Sequence, residues 1–297
     1  MTKRGIWIGA AIAIAVVVVV IVAYLVWPRE APAAQPAPTP SPAATATPTP
    51  TPTPSGPPAN DTAYDQGDLP IDDVFLVDAA LPVDDDPTGE ILPLTASPRD
   101  EAGAPVFADP SGEPIAWLPQ EQTYGGTDLP VVEMHESWVK VLLAGRQARA
   151  GEGDASQVVG WLRVSDAVLT PNDVVVEVDL DAHAIDIVTG DGSDQSRERI
   201  ADDFAWGTEA TPTPVGRTFV MHTEVVPSLA YTRGHPIVYL GAQSSTLAGF
   251  DGQDVAVTAF HYHDVRSGAI SNGCIRVDAD VTSRLAELPV GTPVVIS

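Results

Sequence analysis

The sequence predicts a mostly-β protein carried on a single N-terminal membrane helix. Three observations predict it. Short runs of alternating apolar and polar residues recur from about Gly103 to the end of the chain, without the long helical patterns that βαβ units need. Gly5 to Trp27 contains no charged residue. Pro28 to Pro58 is built almost wholly of Pro, Ala and Thr, a composition that cannot form a core.

The uncharged run, at about 1.5 Å per helical residue, is long enough for the roughly 30 Å of bilayer hydrocarbon. Trp7 stands near one end and Tyr24 and Trp27 near the other, where interfacial aromatics belong. Lys3 and Arg4 precede it, which places the N-terminus in the cytoplasm and the bulk of the chain outside. The run exceeds the roughly 7–15 apolar residues of a cleaved signal peptide, so an uncleaved single-pass anchor at 1–27 is expected. The linker, 28–60, is expected as extended polyproline II, reaching on the order of 90 Å at about 3.1 Å per residue.

Residues 61–102 form an acidic, sparsely patterned segment, expected to be irregular. Its run Asp84-Asp85-Asp86 lacks the spacing of calcium ligands and reads as a solvated loop. From 103 to 170 short strands are expected at Pro130–Met134, Trp138–Leu142 and Gly160–Val164, with turns at Gly125-Gly126 and a loop over 144–156. Residues 171–297 continue the strand signal at Val174–Val178, Ala184–Val188, Thr218–His222, Ile237–Leu240, Val255–His263 and Val294–Ser297. One helix is expected over Val281–Leu288, capped by Asp278 or Asp280 and ended by Pro289.

The 297 residues carry 40 acidic and 15 basic side chains, a net charge of -25, which excludes recognition of nucleic-acid phosphates. A single cysteine excludes an internal disulfide and a Cys-rich zinc site. That cysteine, Cys274, is an inert thiol, an intermolecular link or a nucleophile. It sits in Ser271-Asn272-Gly273-Cys274-Ile275-Arg276. Gly273 permits a sharp turn before the sulfur, and the Gly273 and Cys274 amides are placed to face a carbonyl oxygen that gains charge. Arg276 supplies a fixed cation that lowers a thiol pKa or holds a carboxylate. A thiol attacking an amide needs a base. His261 and His263 alternate with Phe260 and Tyr262, so on a strand both face one side, and either is a candidate. A zinc site built from the two histidines, Cys274 and Asp264 is the weaker alternative, because a glycine-flanked loop cysteine is poor evidence for a ligand.

These residues resemble a known family. Ser271–Arg276 is similar to the Ser-His-Gly-Cys-(Ile/Val)-Arg signature of L,D-transpeptidases of the YkuD type. Trp206–Phe219, with its Thr-Pro-Thr-Pro-Val-Gly stretch, Pro236–Leu240, Ala259-Phe260-His261 and the ending Leu288–Ile296 resemble the other family segments. The resemblance implies a β-sandwich-like catalytic domain over about 172–297. It implies no metal or cofactor, peptidoglycan stem peptides as substrate and carbapenem-type β-lactams as covalent inhibitors. By it Cys274 is the nucleophile, His261 the base with His263 as its alternate, and Gly273 with Cys274 the oxyanion donors. Arg276, Asn272 and Ser271 would contact substrate. The departures are Asn272 where a histidine is usual, Tyr262 where glycine is common, and a short gap between His261 and Ser271. They keep open a second class, a non-catalytic peptidoglycan-binding wall protein. Separately, Glu136–Val141 followed by Gly160-Trp161-Leu162 resembles bacterial SH3-like barrels, in which Trp138 and Trp161 are expected in the core.

Overall fold

The alternating runs form two β-sheets in the computed structural model, which describes residues 56–122, 124–190, 194–250 and 252–297. The expected membrane span Gly5–Trp27 and the proline-rich linker as far as residue 55 lie outside the described residues. Among the described residues no helix is long and apolar enough to cross a membrane.

The first sheet is antiparallel and seven-stranded: β1 (Leu94–Pro98), β2 (Ala104–Phe107), β3 (Pro114–Leu118), β4 (Leu129–Met134), β5 (Trp138–Leu142), β6 (Val159–Arg163) and β7 (Ala167–Pro171), in the order β3-β2-β6-β5-β4-β1-β7. Its central strands are buried along most of their length, with Val139, Val141 and Leu162 in a core with Val106, Leu118 and Val131. Trp138 is fully buried, while Trp161 is half-buried and stacked on His135.

The acidic segment is not all irregular. β1 lies within it and pairs with β4 and β7, so the sheet begins at Leu94 and not at Gly103. Asp84 is not solvated either. Its carboxylate is buried and takes two bonds from Arg217, from Nε and Nη2, each 2.8 Å. A run of three aspartates does not reveal locally that its partner lies far along the chain. Asp85 keeps the exposed character expected of the run, 3.2 Å from Lys140 Nζ.

The second sheet is mixed, with ten strands: β8 (Val174–Asp179), β9 (Ala184–Thr189), β10 (Ser196–Ala201), β11 (Ala205–Gly207), β12 (Gly216–Glu224), β13 (Ile237–Gln243), β14 (Val257–Tyr262), β15 (Gly268–Ser271), β16 (Ile275–Val277) and β17 (Pro293–Ile296). Their order is β10-β9-β8-β17-β12-β13-β14-β16-β11-β15. The helix α1 (Ala279–Ala286) precedes β17, and its N-cap Asp278 accepts from the Asp280 amide.

The two faces of this sheet have different neighbours. Val220, Val238, Leu240, Phe260, Ile275 and Val277 pack with Val281 and Leu285 of α1. On the other side Phe219 and Met221 join the core of the first module, with Tyr239 and Val257 packed against it. β12 is therefore buried on both faces at its centre, which explains the three consecutive apolar residues Phe219-Val220-Met221. Gly125 and Gly126, both at positive φ, are pressed against Met221: a Cβ on Gly125 would lie 2.2 Å from the Met221 carbonyl oxygen. All described residues belong to one compact unit.

Candidate active site

β14 and β16 run parallel, with Phe260 opposite Ile275 and His261 opposite Arg276. Phe260 and Ile275 point into the α1 side of the sheet. Side chains alternate, so His261 and Arg276 point to the other face, and Cys274, one residue before β16, shares it. Register alone thus gathers the thiol, an imidazole and a guanidinium on the face turned towards the first module.

The loop before the sulfur is braced from several sides. Gly273 has φ +109°, outside the range of ordinary side chains, and a Cβ there would lie 3.3 Å from the Pro212 carbonyl oxygen. Thr213 Oγ1 accepts from the Gly207 amide and donates to the Gly273 carbonyl, both at 2.9 Å. Thr211 Oγ1 donates to the Ser271 carbonyl at 3.0 Å. The threonines of the Thr-Pro-Thr-Pro stretch are therefore the buttress of the cysteine turn.

Ser271, expected to touch substrate, is buried and turned inward. Its hydroxyl donates to the Cys274 carbonyl at 2.6 Å and accepts from the Gly273 amide at 3.1 Å. Of the two amides expected to face a carbonyl oxygen, that of Gly273 is thereby engaged within the loop. Asn272 is exposed at the rim.

His261 is buried, with Nδ1 2.9 Å from the Tyr262 carbonyl oxygen. A ring nitrogen facing a carbonyl carries the proton, which leaves Nε2 as the acceptor. Burial, with lesser contributions from the nearby Arg276 and His263 charges, pushes this histidine down to about 4. Burial pushes the Cys274 thiol up, against the opposing pull of a hydrogen bond from the Ala259 amide and the Arg276 charge. At neutral pH the pair is neutral thiol and neutral imidazole, not an ion pair. His263 lies just past the end of β14, with Nδ1 2.9 Å from both the amide and the carbonyl of Val265. Arg276 is half-buried, and its Nε is buried with no hydrogen-bond partner among the described residues.

Two cavities meet at the sulfur. The smaller, about 140 Å³, brings together His261, His263, Ser271, Asn272, Cys274 and Arg276. All the expected site residues except Gly273 line it. The larger, about 330 Å³, also reaches His261 and Cys274. Its walls hold residues the sequence did not indicate: Tyr231, Tyr239 and Phe250 from the second module, and Val74, Phe75 and Tyr124 from the first. Tyr231 stands edge-on to His261, with ring centroids 5.2 Å apart. Apart from Tyr239, which lies in the expected strand Ile237–Leu240, these aromatics sit in stretches without periodicity or motif, and no local signal marks them. Among the described residues no cluster of three or more metal-ligating side chains occurs.

A thiol and an imidazole thus share one sheet face behind a braced glycine turn. Residues 173–296 match the family model of the YkuD L,D-transpeptidase catalytic domain. Solved structures similar to the chain include an L,D-transpeptidase from Mycobacterium smegmatis, 15% identical over 54% of this chain and 90% of that one, with a TM-score of 0.30. They also include L,D-transpeptidase 3 from Mycobacterium tuberculosis in complex with a faropenem-derived adduct, 13% identical over 54% of this chain and 91% of that one, with a TM-score of 0.31. No curated protein sequence matches.

Proposed function

We propose that the protein is an extracytoplasmic L,D-transpeptidase, anchored by residues 5–27, that acts on peptidoglycan stem peptides through an acyl-enzyme on Cys274. The observation that carries the reading is the register of β14 against β16, which puts Cys274, His261 and a guanidinium with an unpartnered nitrogen on one face at the meeting of two cavities. The family match over 173–296 supports the reaction class.

His261 Nε2 takes the thiol proton as the sulfur attacks the carbonyl carbon after the third stem residue. The Cys274 amide faces the oxyanion, since the Gly273 amide is held by Ser271. The C–N bond to the terminal D-alanine breaks, its amine receives the proton from His261, and a thioester remains. An amine of a neighbouring stem then gives a proton to His261 and attacks the thioester. The C–S bond breaks, and the thiolate recovers the proton. Arg276, lacking an internal partner for Nε, binds a substrate carboxylate.

Cys274→Ala is expected to abolish D-alanine release from tetrapeptide substrates. Intact-protein mass spectrometry is expected to show one carbapenem adduct on the native chain and none on that variant. Peptidoglycan binding that persists in both, without release or adduct in either, would instead identify a wall-binding protein with a retained fold.

A further inference from the structure

The first module carries a strap of chain that belongs to none of its strands. Residues 57–64, which take in the last two prolines of the linker, form no helix or strand, and the Thr62 amide turns back on Asn60 Oδ1 at 3.0 Å. Among the described residues none of them enters a strand or pairs main chain to main chain. Side chains of the module hold the strap instead. Trp138, fully buried, donates its indole N–H to the Pro58 carbonyl at 2.8 Å. Arg163, oriented by Asp166 at 2.5 Å from its Nε, donates from Nη1 to the Asn60 carbonyl at 3.0 Å and the Thr62 carbonyl at 2.6 Å.

The floor beneath is aromatic. Tyr64 of the strap stands edge-on to Phe107 at 5.6 Å, and Phe107 stands edge-on to Trp138 at 5.1 Å. The Arg163 guanidinium lies 5.5 Å from the Tyr64 ring centroid. At the strap's beginning, Gly56 is pressed so closely on His135 that a Cβ would lie 2.4 Å from its Cγ.

A segment without main-chain pairing leaves its carbonyls for a partner, and its prolines lose little entropy on docking. An indole N–H and a guanidinium reading such carbonyls over aromatic rings is the chemistry that recognises these segments. We propose that the first module is a binding site for an extended proline-rich segment, and that Pro57–Tyr64 of this chain occupies it in cis. The groove clasps the end of the linker. The inference does not depend on the transpeptidase reading.

Hydrogen exchange of the Trp138 indole N–H, followed by NMR on the full chain in detergent micelles with labelled tryptophan, tests it. The double variant Pro57→Gly, Pro58→Gly keeps every carbonyl but removes two backbone restraints. It is expected to speed exchange about 5- to 30-fold, with circular dichroism and Cys274 alkylation unchanged. A synthetic peptide of residues 54–64, added at about 1 mM to match the effective concentration of a short tether, is expected to restore protection. The same peptide with glycine at both prolines is not. Unchanged exchange in the variant, or equal rescue by the two peptides, overturns the proposal. Pro58→Gly alone serves as the second variant if the double change disturbs the fold.

Discussion

Burial displaces the Cys274 thiol and the His261 imidazole in opposite senses, and both displacements favour the uncharged forms. With His261 as the proposed base, neutral down to about 4, the acylation rate is expected to be level from about pH 5 to neutrality and to fall below about pH 4. Single-turnover acylation by a carbapenem, measured across that range, checks this, and His261→Asn is expected to remove both the activity and the acid limb. Stability carries the same signature. The unfolded histidine binds its proton near 6.5 and the folded one near 4, so the unfolded chain holds the extra proton between them, and stability falls as pH drops through that window. Asp72 acts in the opposite direction. Burial raises it to about 7, although the Gly145 amide at 3.1 Å and the Ala144 amide at 3.4 Å support its charge. The folded state then holds the extra proton between 3.8 and about 7, and stability falls as pH rises through that range. Asp72→Asn should therefore gain on the native chain as pH rises, with an advantage of about 2–4 kcal/mol above pH 7 in urea titrations. A difference independent of pH would contradict the assignment.

Among the elements, β12 does the most to join the molecule, since Val220 serves one core while Phe219 and Met221 serve the other. Gly241 on β13 makes room for it: a Cβ there would lie 2.4 Å from Phe219 Cε1. Phe219→Ala is expected to lower unfolding free energy by about 3–5 kcal/mol, read from the denaturation midpoint at constant slope. This strand was legible in the sequence, as were β8, β9, β13, β14, β17 and the Asp278-capped helix, because each has a clear apolar pattern or cap. β10, β11, β15 and β16 were not. β16 has three residues, and β10 is charged and exposed along most of its length, so neither carries a periodic signal. The site divides in the same way. Cys274, His261 and Arg276, which line one cavity, could be singled out in the sequence because the lone cysteine stands between a glycine and an arginine and follows closely on two histidines. Phe75, Tyr124 and Tyr231 were not, because they reach the cavity through tertiary packing. The inward turn of Ser271 was hidden too, since a hydroxyl beside a catalytic residue looks the same whether it faces substrate or braces a turn.

For the whole molecule, the two sheets share more than a surface. Asp84 and Arg217 form a buried bidentate pair between them, Gln243 Nε2 donates to the Val74 carbonyl at 2.8 Å, and Arg146 Nη2 donates to the Ala248 and Asp254 carbonyls at 3.0 and 2.6 Å. With one core cluster drawing on both, they are expected to unfold as one. Calorimetry should give a single transition whose calorimetric and van't Hoff enthalpies agree, and two resolved peaks would refute it. Asp84→Ala strands the Arg217 charge in the interface and should destabilise by about 3–5 kcal/mol, whereas replacing both partners with apolar residues should recover most of the loss.

The reach of Phe75 and Tyr124 into the cavity beside Cys274 bears on selective inhibition. A compound that alkylates the sulfur and also rests on those two rings would draw part of its potency from outside residues 173–296, the stretch that matches the family model. Resistance to it would then arise at positions remote in sequence from Cys274, and a screen run on residues 173–296 alone would miss such compounds.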